Sequence, residues 1–231
     1  MEQRSGMIHI GVVPARGGSK RLLRKNILDI AGKPLLAWTA EAALASRLDR
    51  VILSTDDAET AELGRKHGLE VPFMRPDNLA EDATPMLPVL AHLIEWLERS
   101  GVTPSSLVLL QPTSPLRLPR HIDEAIRLFE RDSPETVVSV INVPGGVAPG
   151  KYMHMDARGV VNNATPADPG DLVIRNGPAI LMTAPGVIRR GSLYGEPMLG
   201  YRMDRLSSID IDDQDDFTLA ELLLLRRQGK A

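Results

Sequence analysis

The sequence predicts a single α/β domain in which a mostly parallel sheet is flanked by helices. Short apolar runs alternate along the chain with segments of helical periodicity, and this alternation is typical of parallel sheets covered on both faces. The chain has 231 residues, which suits one large domain spanning residues 1–231 that buries about 70% of its unfolded surface. A second full domain is not expected.

The elements follow from apolar runs and helical spacing in chain order. Because parallel strands end at a common edge of the sheet, the loops that follow Pro14, Ser54 and Gln111 are expected to share one crevice. The predicted strands are Ile8–Pro14, Val51–Ser54, Val71–Met74, Leu107–Gln111, Val137–Ile141 and Ala179–Met182. The predicted helices are Leu35–Ser46, Ala58–His67, Pro88–Arg99, His121–Arg131 and Phe217–Gln228.

Between Pro144 and Arg175 the alternation stops, and the chain becomes rich in Gly, Pro, Asn and Asp. Loops of this length inside a compact domain usually carry a function or form an interface. The alternative is a disordered insertion. We therefore predict that residues 144–175 protrude from the domain.

Composition excludes several classes of protein. The formal net charge is -3 and the pI about 6.0, which argues against nucleic-acid and membrane-surface proteins. Cysteine is absent, so disulfides, thiolate metal sites and cysteine nucleophiles are excluded. No apolar run approaches the roughly 20 residues of a membrane span, and the start lacks the apolar centre of a signal peptide. A cytoplasmic protein is expected.

The loop after the first strand combines cations with a Gly17-Gly18 pair. Glycine lets backbone amides approach phosphate oxygens, and Lys and Arg reinforce such an anion site. The spacing matches neither the ATPase loop nor the dinucleotide loop. A solvated basic turn is the alternative. The cations of this loop are Arg16, Lys20, Arg21, Arg24 and Lys25.

Asp210 and Asp212 alternate with isoleucines near the C-terminus, so their carboxylates should point to one side of an extended segment. Two close carboxylates repel unless a proton or a cation lies between them, and oxygen ligands suit Mg²⁺. Helix capping is the competing explanation for acids in this stretch. We assign capping or solvation to Asp213, Asp215 and Asp216.

Four segments in this order resemble the cytidylyltransferases that activate sialic acids, the CMP-N-acylneuraminate synthetases. They are the first loop, Arg75–Asp82, Leu109–Arg117 and Ser208–Asp213. The resemblance implies a Rossmann-like nucleotidyltransferase fold and transfer of CMP from CTP to a sialic-acid-like nonulosonate, with release of pyrophosphate. It also implies Mg²⁺ as cofactor and a homodimer in which residues 144–175 complete the partner's acceptor site.

The resemblance also implies roles for individual residues. The phosphate-loop positions are Arg16, Gly18, Ser19 and Lys25, and Asn26 and Arg75 match residues that contact cytidine. Gln111 and Ser114 lie by the nucleotide and the acceptor, while Lys151 and Arg175 match acceptor-binding positions. Asp210 and Asp212 match the metal ligands. The residues expected to support catalysis are Lys25, Arg16 and Asp212. No general base stands out, and Asp212 acting through a metal-bound water is one candidate.

The chain departs from the family pattern at two places. Arg21 and Leu23 stand where the family loop has Gly and Pro, which adds one cation. After Asn176-Gly177 the family tends to have an aromatic residue, whereas here Pro178–Met182 would offer an apolar wall.

Other interpretations remain open at this stage. Ser114 could cap a helix that starts at Pro115. The acceptor could be a legionaminic or pseudaminic acid, an eight-carbon Kdo-like acid or a phosphonate. A metal-dependent glycosyltransferase and a non-catalytic nucleotide sensor are more distant alternatives.

Overall fold

The computed structural model describes residues 6–19, 21–143, 153–155, 161–163 and 173–230. Their strands are β1 (His9–Pro14), β2 (Asp29–Ile30), β3 (Lys33–Pro34), β4 (Arg50–Ser54), β5 (Ser106–Leu109), β6 (Thr136–Asn142), β7 (Met153–Met155), β8 (Val161–Asn163), β9 (Val173–Arg175), β10 (Leu181–Thr183) and β11 (Met198–Arg202). Their helices are α1 (Leu35–Leu44), α2 (Ala58–Lys66), α3 (Met86–Arg99), α4 (Pro119–Asp132), α5 (Pro185–Arg189) and α6 (Gln214–Arg227).

The main sheet has seven strands in the order β11-β6-β10-β5-β1-β4, with β9 also paired to β6. Strand β1 runs parallel to β4 and β5, and β11 runs parallel to β6. Strand β10 is antiparallel to both of its neighbours, and β9 is antiparallel to β6. The predicted mostly parallel sheet is confirmed.

Helices cover both faces of the sheet because side chains alternate along each strand. In β1, Ile10 and Val12 pack with Leu93 of α3, whereas Val13 packs on the other face with Ile126 of α4. The sheet therefore lies between two apolar layers, and both helix layers were predicted from helical spacing.

A third apolar cluster fixes the chain beside the first loop. Helix α6 contributes Phe217 and Leu224, which pack with Leu22, Leu35 and Ile211. Ile211 is fully buried. Because Asp210 and Asp212 flank Ile211 in sequence, this packing holds the acidic segment close to the first loop.

One predicted strand is wrong. Val71–Met74 is not a strand, since only Glu70 bridges to the sheet, at Ile52. Pro72 has no amide proton to give to a ladder. The chain instead continues alongside β4 without a ladder, and the amide of Arg75 donates to the carbonyl of Thr55 at 2.7 Å.

The predicted excursion, residues 144–175, is partly described. Strands β7 and β8 pair with each other, and β9 returns to the main sheet beside β6. None of the described helices combines the length and hydropathy that a bilayer span requires.

Candidate active site

A cleft of about 480 Å³ opens at the carboxyl ends of β1 and β5. Pro14 and Gln111, which follow these strand ends, both line it, as the sheet topology predicts. Its other lining residues are Arg16, Ser19, Arg21, Leu22, Lys25, Asn26, Arg75, Leu79, Glu81, Asp82, Thr84, Met86, Val89, Pro112, Thr113, Asp210 and Asp212.

Most of the predicted site residues meet in this cleft. They come from four separate segments: Arg16, Ser19, Lys25 and Asn26 from the first loop, then Arg75, then Gln111, then Asp210 and Asp212. Three other predicted residues do not line it, and a fourth cannot be placed in the described part of the chain. Gly18 is exposed in the first loop, Ser114 is buried, Arg175 is exposed on β9, and Lys151 lies outside the described residues.

The first loop is held against the loop after β4. The amide of Gly17 donates to Oδ1 of Asp56 at 3.1 Å, and the Asn26 amide nitrogen donates to the carbonyl of Arg16 at 3.1 Å. A Cβ added to Gly17 would lie 2.8 Å from Cβ of Asp57, so the loop can approach this closely only with glycine at this position. These contacts give the loop a defined shape in the absence of a ligand.

Lys25 joins the first loop to the acidic segment. Its ammonium donates to the carbonyl of Ile211. Burial lowers the pKa of Lys25, whereas the nearby Asp210 and Asp212 act in the opposite direction. The cation is therefore partly desolvated, which strengthens its attraction for an anion in the cleft.

Asp210 and Asp212 differ in their surroundings. Burial raises the pKa of the Asp210 carboxyl, the nearby Thr113 hydroxyl opposes the rise, and the charge of Asp212 adds to it. Oδ1 of Asp210 is buried and has no hydrogen-bond partner within the described part of the chain. Asp212 is exposed, and its Oδ1 lies 3.3 Å from a guanidinium nitrogen of Arg21. Arg21, which stands where the family loop has Gly, thus pairs with Asp212, a candidate metal ligand.

The neighbouring acids cap α6, as predicted. Oδ1 of Asp213 accepts hydrogen bonds from the amides of Asp215 and Asp216, both at 3.0 Å. The carboxylate of Asp216 in turn accepts from the amide of Asp212 at 3.0 Å. Helix α6 therefore begins at Gln214, before the predicted start at Phe217, because its capping residues precede its apolar face.

Arg75 forms a rigid wall of the cleft. It is only 5% exposed, its Nε donates to Oγ of Ser54 at 3.0 Å, and its Nη2 donates to the Ser54 carbonyl at 2.5 Å. Burial lowers its pKa to about 10. A guanidinium held at two points presents its remaining donors in a fixed direction.

The turn after β5 contributes Gln111, Pro112 and Thr113 to the cleft. Ser114 is fully buried, and its hydroxyl has no hydrogen-bond partner among the described residues. The alternative in which Ser114 caps a helix is wrong, since α4 begins at Pro119 after the cap position Leu118.

The expected apolar acceptor wall is also wrong. Ala179, Ile180, Leu181 and Met182 are buried in the two core layers, because β10 is an interior strand. An aromatic ring nevertheless lies beside the Asn176-Gly177 turn.

That ring belongs to Tyr194. The Arg175 guanidinium carbon lies 4.3 Å from the ring centroid of Tyr194, and a Cβ added to Gly177 would lie 3.6 Å from the Tyr194 hydroxyl. Tyr194 therefore occupies the neighbourhood in which the sequence pattern lacks an aromatic residue.

Sequence reasoning did not single out one side of the cleft. Leu79, Thr84, Met86 and Val89 line it together with Glu81 and Asp82. Asp82 lies 2.7 Å from a guanidinium nitrogen of Arg16. Part of this wall belongs to the Arg75–Asp82 segment, which the resemblance includes. No sequence pattern indicated that the first turns of α3 would also line the cleft.

Comparison with known proteins identifies the family of this chain. Residues 10–172 match the family described as Cytidylyltransferase. The chain belongs to the cytidylyltransferase family. It is therefore a CTP-dependent nucleotidyltransferase.

Two relatives of this cytidylyltransferase match most of its length. The CMP-N,N'-diacetyllegionaminic acid synthase of Legionella pneumophila is 35% identical over 226 residues, covering 93% of this chain and 95% of the relative. The N-acylneuraminate cytidylyltransferase of Escherichia coli is 33% identical over 223 residues, covering 91% of this chain. The chain spans about half of that enzyme, 51% of its length.

Among solved structures, a CMP:2-keto-3-deoxy-manno-octonic acid synthetase complexed with CTP superposes with a TM-score of 0.72. The match covers 95% of this chain and 99% of that one, at 17% identity. It confirms the Rossmann-like nucleotidyltransferase fold.

Proposed function

We propose that this cytidylyltransferase transfers CMP from CTP to a nonulosonate and releases pyrophosphate. The observation that carries the proposal is a single cleft lined by Arg16 and Lys25 of the first loop together with the carboxylates of Asp210 and Asp212. Cations and carboxylates in one cleft suit a polyphosphate that is bound together with a divalent ion.

The reaction forms a bond between the anomeric oxygen of the acceptor and the α-phosphorus of CTP. The bond from the α-phosphorus to the oxygen bridging to the β-phosphate breaks, and pyrophosphate leaves with that electron pair. The hydroxyl proton passes to a base, and Asp212 is one of the exposed carboxylates of the cleft that could accept it. Lys25 and Arg16 would stabilise the negative charge that develops on the leaving group.

Cytidine would occupy the part of the cleft that is lined by Asn26 and Arg75. Asn26 and Arg75 are both at least nine-tenths buried, and each is fixed by hydrogen bonds to the backbone. Fixed polar groups of this kind discriminate between base edges, because a wrong base leaves them unpaired.

The cleft also fits Mg²⁺. The described residues contain no cluster of three acidic or histidine side chains that could enclose a metal by themselves. Mg²⁺ usually takes one or two protein carboxylates and completes its shell with water and substrate phosphates. Asp210 and Asp212 would hold it, and the unpaired Oδ1 of Asp210 supports this assignment. When bound, the ion would offset phosphate charge.

For the acceptor, a legionaminic-type acid is the first candidate. The CMP-N,N'-diacetyllegionaminic acid synthase is 35% identical over 93% of this chain, and the N-acylneuraminate cytidylyltransferase is 33% identical over 91% of it. Sialic acid remains in the same proposed class of acceptor.

We further propose a homodimer in the cytoplasm, with the excursion of residues 144–175 reaching the partner subunit. Light scattering should give twice the monomer mass of 25.2 kDa. A monomer mass at working concentration would reject this arrangement.

The function is tested by measuring pyrophosphate release from CTP with a panel of acids. The panel holds N,N'-diacetyllegionaminic, N-acetylneuraminic, pseudaminic and eight-carbon keto acids, and a phosphonate. We expect turnover with a nonulosonate in the presence of Mg²⁺. Turnover with the phosphonate or the eight-carbon acid alone would agree with CMP transfer from CTP but would reject a nonulosonate as the acceptor.

A further inference from the structure

Arg117 is a buried cation beneath the cleft. It is 2% exposed. Its Nη1 donates to the carbonyl of Ala179 at 2.6 Å, with longer contacts to the carbonyls of Gln111 at 3.4 Å and Pro178 at 3.5 Å. Its Nη2 donates to Oγ1 of Thr39 at 2.8 Å. One guanidinium thus contacts two separate parts of the backbone, at Gln111 and at Pro178–Ala179, and a side chain of helix α1.

The charge of Arg117 is not neutralised in the usual way. No salt bridge to Arg117 occurs between described residues, where its contacts are carbonyls and one hydroxyl. Its Nε is buried without a hydrogen-bond partner in the same set, and burial lowers its pKa to about 9. Burying an unpaired charge costs folding free energy. An apolar side chain would avoid that cost, so global stability alone does not explain an arginine here.

The carbonyls that Arg117 contacts belong to two sides of the proposed active site. Gln111 lines the nucleotide cleft. Pro178 and Ala179 follow the Asn176-Gly177 turn on the proposed acceptor side. The two sides touch directly, because the amide of Gln111 donates to the carbonyl of Pro178 at 3.0 Å.

The Gln111–Thr113 turn also supports the segment that carries Asp210 and Asp212. The amide of Ile211 donates to the carbonyl of Thr113 at 2.9 Å, two residues after Gln111. On the acceptor side, the Asn176 amide nitrogen donates to the carbonyl of Ser208 at 3.3 Å. The Gln111–Thr113 turn thus lies between the acceptor side and the acidic segment, which Lys25 and the apolar cluster of α6 also hold in place.

We propose that Arg117 is a positioning residue, which sets the distance between the Gln111–Thr113 turn and the Pro178–Ala179 backbone. Its donors fix where the acceptor oxygen meets the α-phosphorus. This inference rests on the proposed function. The first loop and Arg75 are held by other contacts, so Arg117 acts on the approach of the acceptor and hardly on CTP binding.

The test compares Arg117→Met, which removes the donors and the charge, with Arg117→Lys, which keeps one donor group. We expect Arg117→Met to lower kcat by about 100-fold, the usual consequence of a displacement of about 1 Å at a reacting centre. The acceptor KM should rise, while the CTP Kd from calorimetry should stay within about threefold of wild type. Arg117→Lys should recover part of kcat, since an ammonium can still donate to Ala179.

Phe129→Leu is the matched control for stability. Phe129 is buried on α4 in the core layer away from the cleft. The Phe129→Leu variant should have a lower melting temperature than the wild type, and its kcat should be unchanged below that temperature. A folded Arg117→Met with kcat within about threefold of wild type would overturn the proposal, as would an equal loss in Phe129→Leu.

If Arg117→Met does not fold, Arg117→Gln, which removes the charge and cannot reach both carbonyl groups, decides by the same criteria. A wild type that releases no pyrophosphate with any acid would overturn the proposed function, and the role of Arg117 with it. An active wild type with unaffected Arg117 variants would overturn the role of Arg117 alone.

Discussion

The ammonium of Lys25 donates a hydrogen bond to the carbonyl oxygen of Ile211, the residue between Asp210 and Asp212. This contact links the second half of the first loop to a segment almost two hundred residues later. A cation and two carboxylates are thereby kept in one place before any substrate arrives. Preorganisation of this kind avoids reorganisation during the reaction.

Replacing Lys25 by Met should therefore reduce turnover. We expect kcat to fall by about 100- to 1,000-fold, comparable with the loss of one preorganised donor at a developing charge. Pyrophosphate release under saturating CTP measures the change. Lys66→Met, on the exposed end of α2, is the control and should keep wild-type kcat. Equal activities of the two variants would contradict the role of Lys25.

Asp210→Asn should stabilise the protein at neutral pH and abolish turnover. Because the pKa of Asp210 is raised in the folded state, its buried charge costs stability above that pKa. The cost disappears as the pH falls through it. We expect a higher melting temperature for Asp210→Asn at pH 8 and a shrinking difference towards about pH 4, near the ordinary carboxyl value.

Thermal unfolding of both proteins across this pH range measures the effect. Asp215→Asn is the control, because Asp215 is exposed in the first turn of α6 and its loss should slightly lower stability. An increase in melting temperature for Asp210→Asn that stays constant from pH 8 to pH 4 would show that the pKa of Asp210 is not raised in the folded state.

Arg21→Gly, which restores the residue typical of the family, should strengthen Mg²⁺ binding. The Arg21 guanidinium lies 3.3 Å from Asp212, and both side chains are exposed. An exposed pair contributes little, so we expect about a two- to fivefold lower Mg²⁺ Kd at low salt. Calorimetric Mg²⁺ titration with CTP present checks this. The difference should vanish at high salt. An unchanged or weaker affinity would show that Arg21 does not compete with the metal.

Asn26→Ala should reduce the preference for CTP over UTP. The Asn26 nitrogen is committed to the Arg16 carbonyl, which leaves the amide oxygen to accept from the cytosine amino group. For the wild type we expect kcat/KM to favour CTP by about 100-fold or more. The same ratio in Asn26→Ala would assign base recognition to other residues.

Arg175→Ala should raise the acceptor KM by about one to three orders of magnitude with little change in the CTP KM. An acidic acceptor must be neutralised as it approaches the triphosphate, and Arg175 is held against Tyr194. Tyr194→Leu should produce a smaller change in the same direction. If Arg175→Ala raises only the CTP KM, Arg175 belongs to the nucleotide site.

Local patterns predicted the elements that have strong periodicity. Strand β1, helix α4 and the capping acids Asp213 and Asp216 were foreseen, since hydrophobic spacing and N-terminal caps are local signals. Strand β11 was missed, because its residues alternate between exposed and partly exposed and include Gly200. Its pairing with β6 depends on tertiary contacts.

The candidate site shows the same division. The loops that carry Arg16 and Gln111 could be placed in one crevice from strand order, whereas Asp210 and Asp212 were assigned to the site from their alternating pattern and the resemblance. The pairing of Arg21 with Asp212, the ring of Tyr194 beside Gly177 and the carbonyl contacts of Arg117 join residues that are distant in sequence. No local pattern encodes such contacts.

The return of the chain at β9 has a consequence for how this family diversifies. Asn142 at the end of β6 and Val173 at the start of β9 are direct register partners. The chain therefore leaves and re-enters the sheet at neighbouring points, and loop closure depends only weakly on the length of what lies between. An evolutionary exchange or graft between these two positions would leave the strand order untouched. Acceptor choice could then change while the machinery for CTP is inherited intact.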